Sequence, residues 1–184
     1  MRHALNVLAG LVTLLVAGCV AYSPVVDSQA TVKPGMAYLT GIFTDVSTQG
    51  GSRTIGITYE NADNLSQHTF AFRKEQGRGE LQVVEVPPGT YRAKSWFMAG
   101  ITNEVMVRGE LKGALFLRTF KVEPGQVYFM GEYSGSGTVT TSGNMIYRNA
   151  QMRALRITPT PIDRGALVDK YPNVGKLPLK SAYE

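Results

Sequence analysis

The stretch VEPGQVYFMG, residues 122–131, contains a turn signal followed at once by a strand signal. Proline fixes φ at about −65° and glycine accepts a positive φ, so Pro-Gly suits the two central positions of a type II turn. The same order recurs as VKPGMAYLTG at residues 32–41 and, shortened, as VPPGTY at residues 86–91. Three copies predict a structural rule, in which a turn leads into a strand that carries a tyrosine, and do not indicate three binding sites.

The strand after the last of these turns is predicted to be central and buried on both faces. Successive side chains of a strand point to opposite faces. Alternation puts Val127, Phe129 and Tyr133 on one face and Tyr128 and Met130 on the other, so both faces are apolar. One face should contact the core, and the other should contact neighbouring strands or a C-terminal helix.

The chain from residue 36 to residue 157 is predicted to be β almost throughout. Short runs rich in Val, Ile, Tyr, Phe and Thr alternate with Gly, Pro, Asn and Ser clusters, which is typical of strands and turns. No helical repeat separates the runs, so we expect an all-β fold, a single antiparallel β-sandwich over 36–157, and disfavour a parallel α/β fold. The predicted strands are 36–43, 53–60, 68–74, 80–86, 90–98, 114–122, 126–133 and 145–157, and glycine-rich loops are expected at 47–52 and 131–144.

Residues 158–184 are predicted to form a short C-terminal helix and an arm. Asp163 is a suitable N-cap, and the helix should run to about Tyr171, before a proline stops it. Residues 173–184 would be a loosely held arm. The apolar stripe of the helix, expected to cover an open end of the sandwich, consists of Ala166, Leu167 and Tyr171.

The N-terminus is typical of an export signal that ends at a lipidation site. A basic start precedes an apolar run over about residues 5–17, which is shorter than the roughly 20 residues of a spanning helix. The sequence Val-Ala-Gly-Cys ending at Cys19 resembles the bacterial lipobox, and Cys19 is the only cysteine in the chain. The resemblance implies that residues 1–18 are a lipoprotein signal peptide, that Cys19 is acylated, and that residues 19–35 are a lipidated tether.

This anchor implies a location. Acyl chains contribute about 0.8 kcal/mol per buried methylene, so three chains hold a protein on a membrane without a spanning helix. Val20, and no aspartate, follows the cysteine. By resemblance to enterobacterial sorting, this favours the outer membrane, with the domain facing the periplasm. An ordinary secreted protein with a chance cysteine beside its cleavage site is the alternative.

Composition gives limits on partners. The chain has 19 Lys+Arg and 14 Asp+Glu, a formal net charge of +5. The basic residues are scattered through strand-like segments and form no runs, so nucleic acid is not an expected partner. One cysteine excludes an intramolecular disulfide. No cofactor is expected.

Two segments carry a family resemblance. ELQVVEVPPGTYRAKSW at 80–96 and FKVEPGQVYFMGEY at 120–133 resemble paired signatures of an uncharacterised bacterial lipoprotein family, a domain of unknown function. The resemblance covers roughly residues 36–157 and implies a sandwich similar to the carboxypeptidase-regulatory and transthyretin-like (prealbumin-like) modules. It implies no catalytic residues, and the tail from residue 158 has no counterpart in it.

Catalytic and metal chemistry find little support in the sequence. A Ser-His-Asp triad would need His68, with Asp63 as one choice of acid, yet no Gly-x-Ser-x-Gly elbow is present. A zinc site would need several His or Cys ligands, and the aspartates lack the spacing of a calcium loop. No catalytic or metal site is therefore predicted. A paired-carboxylate glycosidase remains open by residue type only, through Glu60, Glu75, Glu80, Glu85, Glu104, Glu110, Glu123 and Glu132.

The best candidate for binding is a surface. If Tyr91 faces the core, alternation puts Arg92, Lys94 and Trp96 together on the outer face of their strand. An aromatic ring beside two cations suits a glycan, a lipid headgroup or a protein hot spot. The alternative is that Trp96 closes the sandwich and its neighbours are solvated strand residues.

The sequence therefore predicts a membrane-anchored lipoprotein that acts as a non-catalytic interaction or structural module of the cell envelope. Its partner would be another envelope protein or a cell-wall polymer. Two alternatives remain, an accessory lipoprotein of a secretion complex and an envelope-glycan hydrolase.

Overall fold

A computed structural model describes residues 23–45, 54–73, 80–99, 105–142, 147–158 and 163–183. The predicted signal peptide, Cys19 and the start of the tether lie outside the described residues, as does the glycine-rich segment 47–52. Within these ranges, no helix is long and apolar enough to cross a membrane.

The described chain is mostly β, which confirms the all-β expectation. The first sheet has the order β10-β8-β1-β4, with β9 also paired to β8, and the second has the order β3-β2-β5-β6, with β7 also paired to β5. The strands are β1 (Ala37–Asp45), β2 (Thr54–Asn61), β3 (Gln67–Arg73), β4 (Glu80–Val86), β5 (Gly89–Ala99), β6 (Val105–Glu110), β7 (Thr119–Val122), β8 (Val127–Ser142), β9 (Tyr147–Thr158) and β10 (Leu179–Ser181). The helices are α1 (Ala114–Leu117) and α2 (Arg164–Lys170), followed by a 3₁₀ helix, Val174–Lys176.

The two sheets pack on each other across one aromatic core. Phe43 on β1 stacks on Phe70 of β3, with ring centroids 5.4 Å apart, and on Tyr133 of β8, at 5.3 Å. Tyr59 of β2 is fully buried among them. Offset ring pairs of this kind add to the burial of their apolar area, so the centre of the domain is held by residues from both sheets.

Most strand pairs are antiparallel, as predicted, but β8 runs parallel to both β1 and β10. The reason lies in the repeated turns, which place β1 and β8 side by side. The Gly125 N–H donates to the Met36 carbonyl at 2.8 Å, and the Tyr38 N–H donates to the Gln126 carbonyl at 3.0 Å. Both strands thus enter the first sheet from the same end, which makes that sheet mixed.

The first and last Val-x-Pro-Gly copies form turns that are capped by their own tyrosines. Each glycine has the positive φ of a type II turn, 76° in the first copy and 70° in the last. The Lys33 N–H donates to the Tyr38 hydroxyl at 2.9 Å, and the Glu123 N–H donates to the Tyr128 hydroxyl at 3.0 Å. We call these two the Tyr-capped turns. The tyrosine of the motif is therefore a structural residue, as the sequence predicted.

In the middle copy, the corresponding tyrosine, Tyr91, makes a different hydrogen bond. The second position of this copy is Pro87, which has no N–H to donate. The Tyr91 hydroxyl donates instead to the Pro87 carbonyl at 2.8 Å. The hydroxyl can play either part because it is both a donor and an acceptor.

A β-bulge in β8 changes the predicted faces of that strand. Thr40 is opposite Phe129, but Ile42 is opposite Glu132, so β8 carries an extra residue there. Gly131 has φ 95°, a conformation suited to glycine at a bulge. The extra residue turns Tyr133 inward to the shared core, whereas Val127 packs on the outer side of the sheet. The prediction that these two share a face is wrong.

The C-terminal helix forms as predicted but packs elsewhere. The Asp163 carboxylate accepts from the Gly165 N–H at 2.8 Å, which confirms the cap. Leu167 and Tyr171 are buried against the outer face of the first sheet, not at an open end of the sandwich. Ala166 is exposed, so its place in the apolar stripe was wrong.

The expectation of a loosely held arm is also wrong. After the 3₁₀ helix, β10 pairs with the start of β8, and the Ala182 N–H donates to the Phe129 carbonyl at 2.9 Å. Val174 and Ala182 are buried. The β10 strand is too short to show a periodic pattern in the sequence. It is ordered by pairing with the part of the β8 edge that β9 does not cover.

Three further strand predictions need correction. Residues 114–117 are helical and only 119–122 are strand, while β6 was not predicted at all. The glycine-rich segment 131–142 belongs to β8 and is not a loop, because β9 pairs with it from Glu132 to Ser142. Tertiary pairing overrides weak local propensity in such strands.

Candidate functional site

Arg92 and Lys94 converge on one carboxylate on the outer face of the second sheet. The Arg92 guanidinium lies 2.9 Å from one oxygen of Glu60, and the Lys94 ammonium contacts the other. The Gln67 side-chain amide adds a contact at 3.4 Å. The Glu60 side chain is only 3% exposed, while those of Arg92 and Lys94 are 51% and 43% exposed. The two cations therefore cover the carboxylate and present their own charge to solvent.

The electrostatics make Glu60 an ion-pair anchor. The hydrogen bond from Lys94, and then that from Arg92, hold the pKa of Glu60 below its ordinary value. A carboxyl with a lowered pKa is ionised at neutral pH and is unsuited to donate a proton to a leaving group. Glu60 thus positions the two cations and is not a candidate general acid.

Trp96 does not join these cations. Thr58 is opposite Ser95 but Tyr59 is opposite Ala93, so Lys94 is an extra residue in β5 and forms a bulge. Beyond it, Trp96 turns inward, where it packs against the shared core opposite Ile57. The prediction that Arg92, Lys94 and Trp96 share an outer face is wrong, because alternation holds only up to the bulge.

Gly109 explains how the indole fits. It is opposite Trp96 on β6, and a Cβ at this position would lie 2.6 Å from the ring. Real Cβ contacts are not so close, so the glycine provides the space that the indole occupies. Trp96 is partly buried, and the structure gives it a packing role.

His68 is half-buried at the start of β3. Its Nε2 lies 3.4 Å from the Ser66 hydroxyl, and its ring meets that of Tyr91 edge-on at 5.8 Å. Burial lowers the pKa of His68, so the imidazole is neutral at pH 7. The Asp63 carboxylate accepts from the Thr90 N–H at 2.9 Å. The contacts found in the described residues therefore assemble no Ser-His-Asp triad around His68.

Other glutamates are bound in ion pairs. The closest oxygen–nitrogen distance is 2.9 Å between Glu85 and Lys33, 3.3 Å between Glu80 and Lys170, and 2.9 Å between Glu123 and Lys180. Within the part of the chain that the structure describes, no group of three His, Cys, Asp or Glu side chains could hold a metal ion. Glu75 and Glu104 lie outside the described residues.

A cavity that the sequence did not predict lies between the edges of β7 and β10. Its volume is about 320 Å³. Its lining includes three basic residues, Arg118, Lys121 and Lys180, together with Glu123 and Tyr128. The Lys180 ammonium is 6.0 Å from the centroid of the Tyr128 ring. Sequence reasoning missed the site because it treated the segment with Lys180 as a loosely held arm.

Removal of the Glu60 charge is expected to change the pH dependence of stability. A lowered folded-state pKa stabilises the fold fully above the ordinary value of 4.5, and this contribution is lost as pH falls through the lowered value. We expect Glu60→Gln to lower the free energy of unfolding at pH 7 and to flatten its decline below pH 4.5. Arg92→Gln removes one of the two cations that lower the pKa of Glu60, so its stability should decline with falling pH at an intermediate slope. Urea unfolding between pH 7 and pH 3 measures both, and a Glu60→Gln curve parallel to the wild-type curve would contradict this account.

Comparisons with known proteins add little. No family model matches the chain. No curated protein matches it. Among solved structures, it is similar to a leucine-rich repeat protein from Bacteroides thetaiotaomicron, with 15% identity and a TM-score of 0.32, over 54% of this chain and only 14% of that one. A likeness this weak carries no argument about fold or activity.

Proposed function

We propose that the protein is a lipid-anchored, periplasm-facing module of the outer membrane, attached through acyl chains on Cys19, that binds an acidic partner without catalysis. We also propose that its two sheets form a transthyretin-like (prealbumin-like) sandwich. The anchor is supported by the lipobox-like sequence at the only cysteine of the chain. The partner would be another envelope protein or a cell-wall polymer.

The observation that carries the binding role is the charge on the outer face of the second sheet. Strand register and alternation put four exposed cations on this face against two carboxylates, Glu60, which is buried beneath two of the four, and Glu110, which is exposed. We call this surface the basic face; it consists of Arg92, Lys94, Arg108 and Lys121. A surface with one dominant sign attracts partners of opposite charge and speeds their encounter.

The alternatives differ in what supports them. The hydrolase reading needs a carboxyl that can donate a proton, and the lowered pKa of Glu60 disfavours it for that role. An accessory lipoprotein of a secretion complex would use the same basic face with a different partner. Detergent-resistant co-purification with a large membrane complex would favour this alternative.

Crosslinking in living cells tests the binding role. A photo-crosslinking residue at Glu110, an exposed position on the basic-face side of β6, is expected to give adducts with an envelope protein or cell-wall polymer. The matched control is Asp169, an exposed acidic position on α2. Arg108→Glu should reduce the Glu110 adducts several-fold, because it reverses a charge of the face. Equal adducts from both positions, or no effect of Arg108→Glu, would overturn the proposal.

A further inference from the structure

The cavity beside β7 lies along an open seam between the two sheets. β7 pairs with β5 alone among the described strands, and β10 pairs with β8 alone, so each is an edge. Residues 118–123 form one side and residues 180–183 form the other; we call this region the seam. Edge strands expose main-chain donors and acceptors that another chain can use.

Two contacts cross the seam, one near each end. The Arg118 guanidinium donates to the Tyr183 carbonyl, and the Lys180 ammonium lies 2.9 Å from the Glu123 carboxylate. The pairs connect the start of one side to the end of the other, so the two sides run in opposite directions. The cavity lies between these two crossing points.

The edge of β10 has main-chain groups to offer. The Val127 N–H donates to the Pro178 carbonyl and the Ala182 N–H donates to the Phe129 carbonyl, both at 2.9 Å. The main-chain groups of the even-numbered residues from 178 to 182 therefore point to β8. By strand alternation, Leu179 and Ser181 direct their N–H and C=O groups to the open edge.

The charge of the seam favours an anionic occupant. Arg118 and Lys180 contribute the positive charges that cross the seam, and Lys121 adds a third from the neighbouring basic face, against the single carboxylate of Glu123. That carboxylate is bound by Lys180 and by the Gln126 side-chain amide at 3.1 Å, and the Lys180 hydrogen bond lowers its pKa. The pair shows that the Lys180 ammonium can bind a carboxylate at this position. The cavity has a volume of about 320 Å³, which leaves room for a short segment of chain.

We propose that the seam binds an extended acidic polypeptide segment, whose carboxylate replaces Glu123 at Lys180 while its main chain pairs with the open edge of β10. This rests on the proposed binding of an acidic partner and adds a second site for it, next to the basic face, with a ligand class. Strand addition of this kind takes affinity from main-chain hydrogen bonds and specificity from side-chain contacts. A simple anion would satisfy the cations but would leave the strand edges unused.

Fluorescence anisotropy with full-length protein in non-ionic detergent tests the site. The probe is a fluorescein-labelled octapeptide of alternating Asp and Thr. Lys180→Ala is expected to weaken its binding about tenfold, which corresponds to loss of one charged contact. Glu123→Gln is expected to tighten binding about threefold, because it removes the internal competitor; a merely structural role for Glu123 would not give that sign. Binding should also weaken as salt is raised from about 20 to about 500 mM.

Three controls make the result decisive. Lys176→Ala removes an exposed lysine on the 3₁₀ helix, away from the seam, and should change affinity less than about twofold. A peptide with Asn in place of Asp should bind poorly. The proposal is overturned if Lys176→Ala costs as much as Lys180→Ala, if Glu123→Gln fails to tighten binding, or if equimolar inorganic phosphate displaces the peptide. If the peptide does not bind but position 110 still crosslinks in cells, only the assignment of the seam is refuted. If the peptide binds but position 110 gives no crosslinks, the proposed function is refuted.

Discussion

In cells that express Cys19→Ser, the protein is expected to leave the membrane fraction almost completely and to incorporate no palmitate. Acylation on Cys19 would supply the whole anchor, since each buried methylene contributes about 0.8 kcal/mol and two or more chains are needed for stable attachment. Loss of the thiol removes the acceptor for these chains. Fractionation and palmitate labelling measure the two effects separately.

A cysteine moved elsewhere provides the control. Cys19→Ser combined with Ser28→Cys keeps one thiol in the chain but places it after Val-Val-Asp, without the two small residues of the lipobox. We expect no labelling and no return to the membrane. Membrane retention of Cys19→Ser would refute the lipid anchor, and labelling of the relocated cysteine would show that position is irrelevant.

Gly56→Ala is expected to destabilise the fold by about 3 kcal/mol, toward the upper end of overpacking costs. Gly56 lies on β2, opposite Phe97 of β5. A Cβ there would clash with the buried Phe97 ring and would lie 2.9 Å from the Phe70 carbonyl, a main-chain atom that cannot move aside. Thermal unfolding should show a drop of about 10 °C for a domain of this size.

A double-mutant cycle identifies the cause. Phe97→Ala removes the ring, so the cost of Gly56→Ala should be smaller by at least about 1 kcal/mol in that background. Gly165→Ala makes the same chemical change at an exposed site in α2, where a Cβ would lie 3.0 Å from the exposed Asp163 carboxylate, a side chain that can move aside. It should therefore alter stability by less than about 1 kcal/mol. Strict additivity of the two β-strand substitutions would contradict the proposed clash.

Local chemistry made much of the fold predictable. The Pro-Gly turns and the Asp163 cap depend on residues adjacent in sequence, and both form as expected. The β10 strand did not follow from its sequence, because it is ordered by the edge of β8, which lies far away in the chain. The extent of β8 depends on its antiparallel neighbour β9, which follows it directly in the chain, and not on the residues of β8 alone.

Bulges limited the prediction of the site. One extra residue at Lys94 reverses the face of Trp96, and one near Gly131 reverses the face of Tyr133. Gly131 gave a usable sign, since glycine inside a strand often marks a bulge. Nothing in the residue type of Lys94 marks the other. The ion pairs of Arg92 and Lys94 with Glu60 depend on pairing between β2 and β5, which alternation along one strand does not reveal.

The position of the two Tyr-capped turns side by side has a consequence for how the chain folds. Tyr38 pairs with Val127, so the parallel contact between β1 and β8 joins segments about 90 residues apart in the chain. Formation of such a contact closes a long loop, which costs conformational entropy before the contact forms. Domains dominated by contacts of this kind refold in milliseconds to seconds. The β2–β3 hairpin needs only a short loop and can form within microseconds. Until β8 pairs with β1, that edge of β1 is unpaired, and this is the stage at which the refolding chain is most exposed to aggregation.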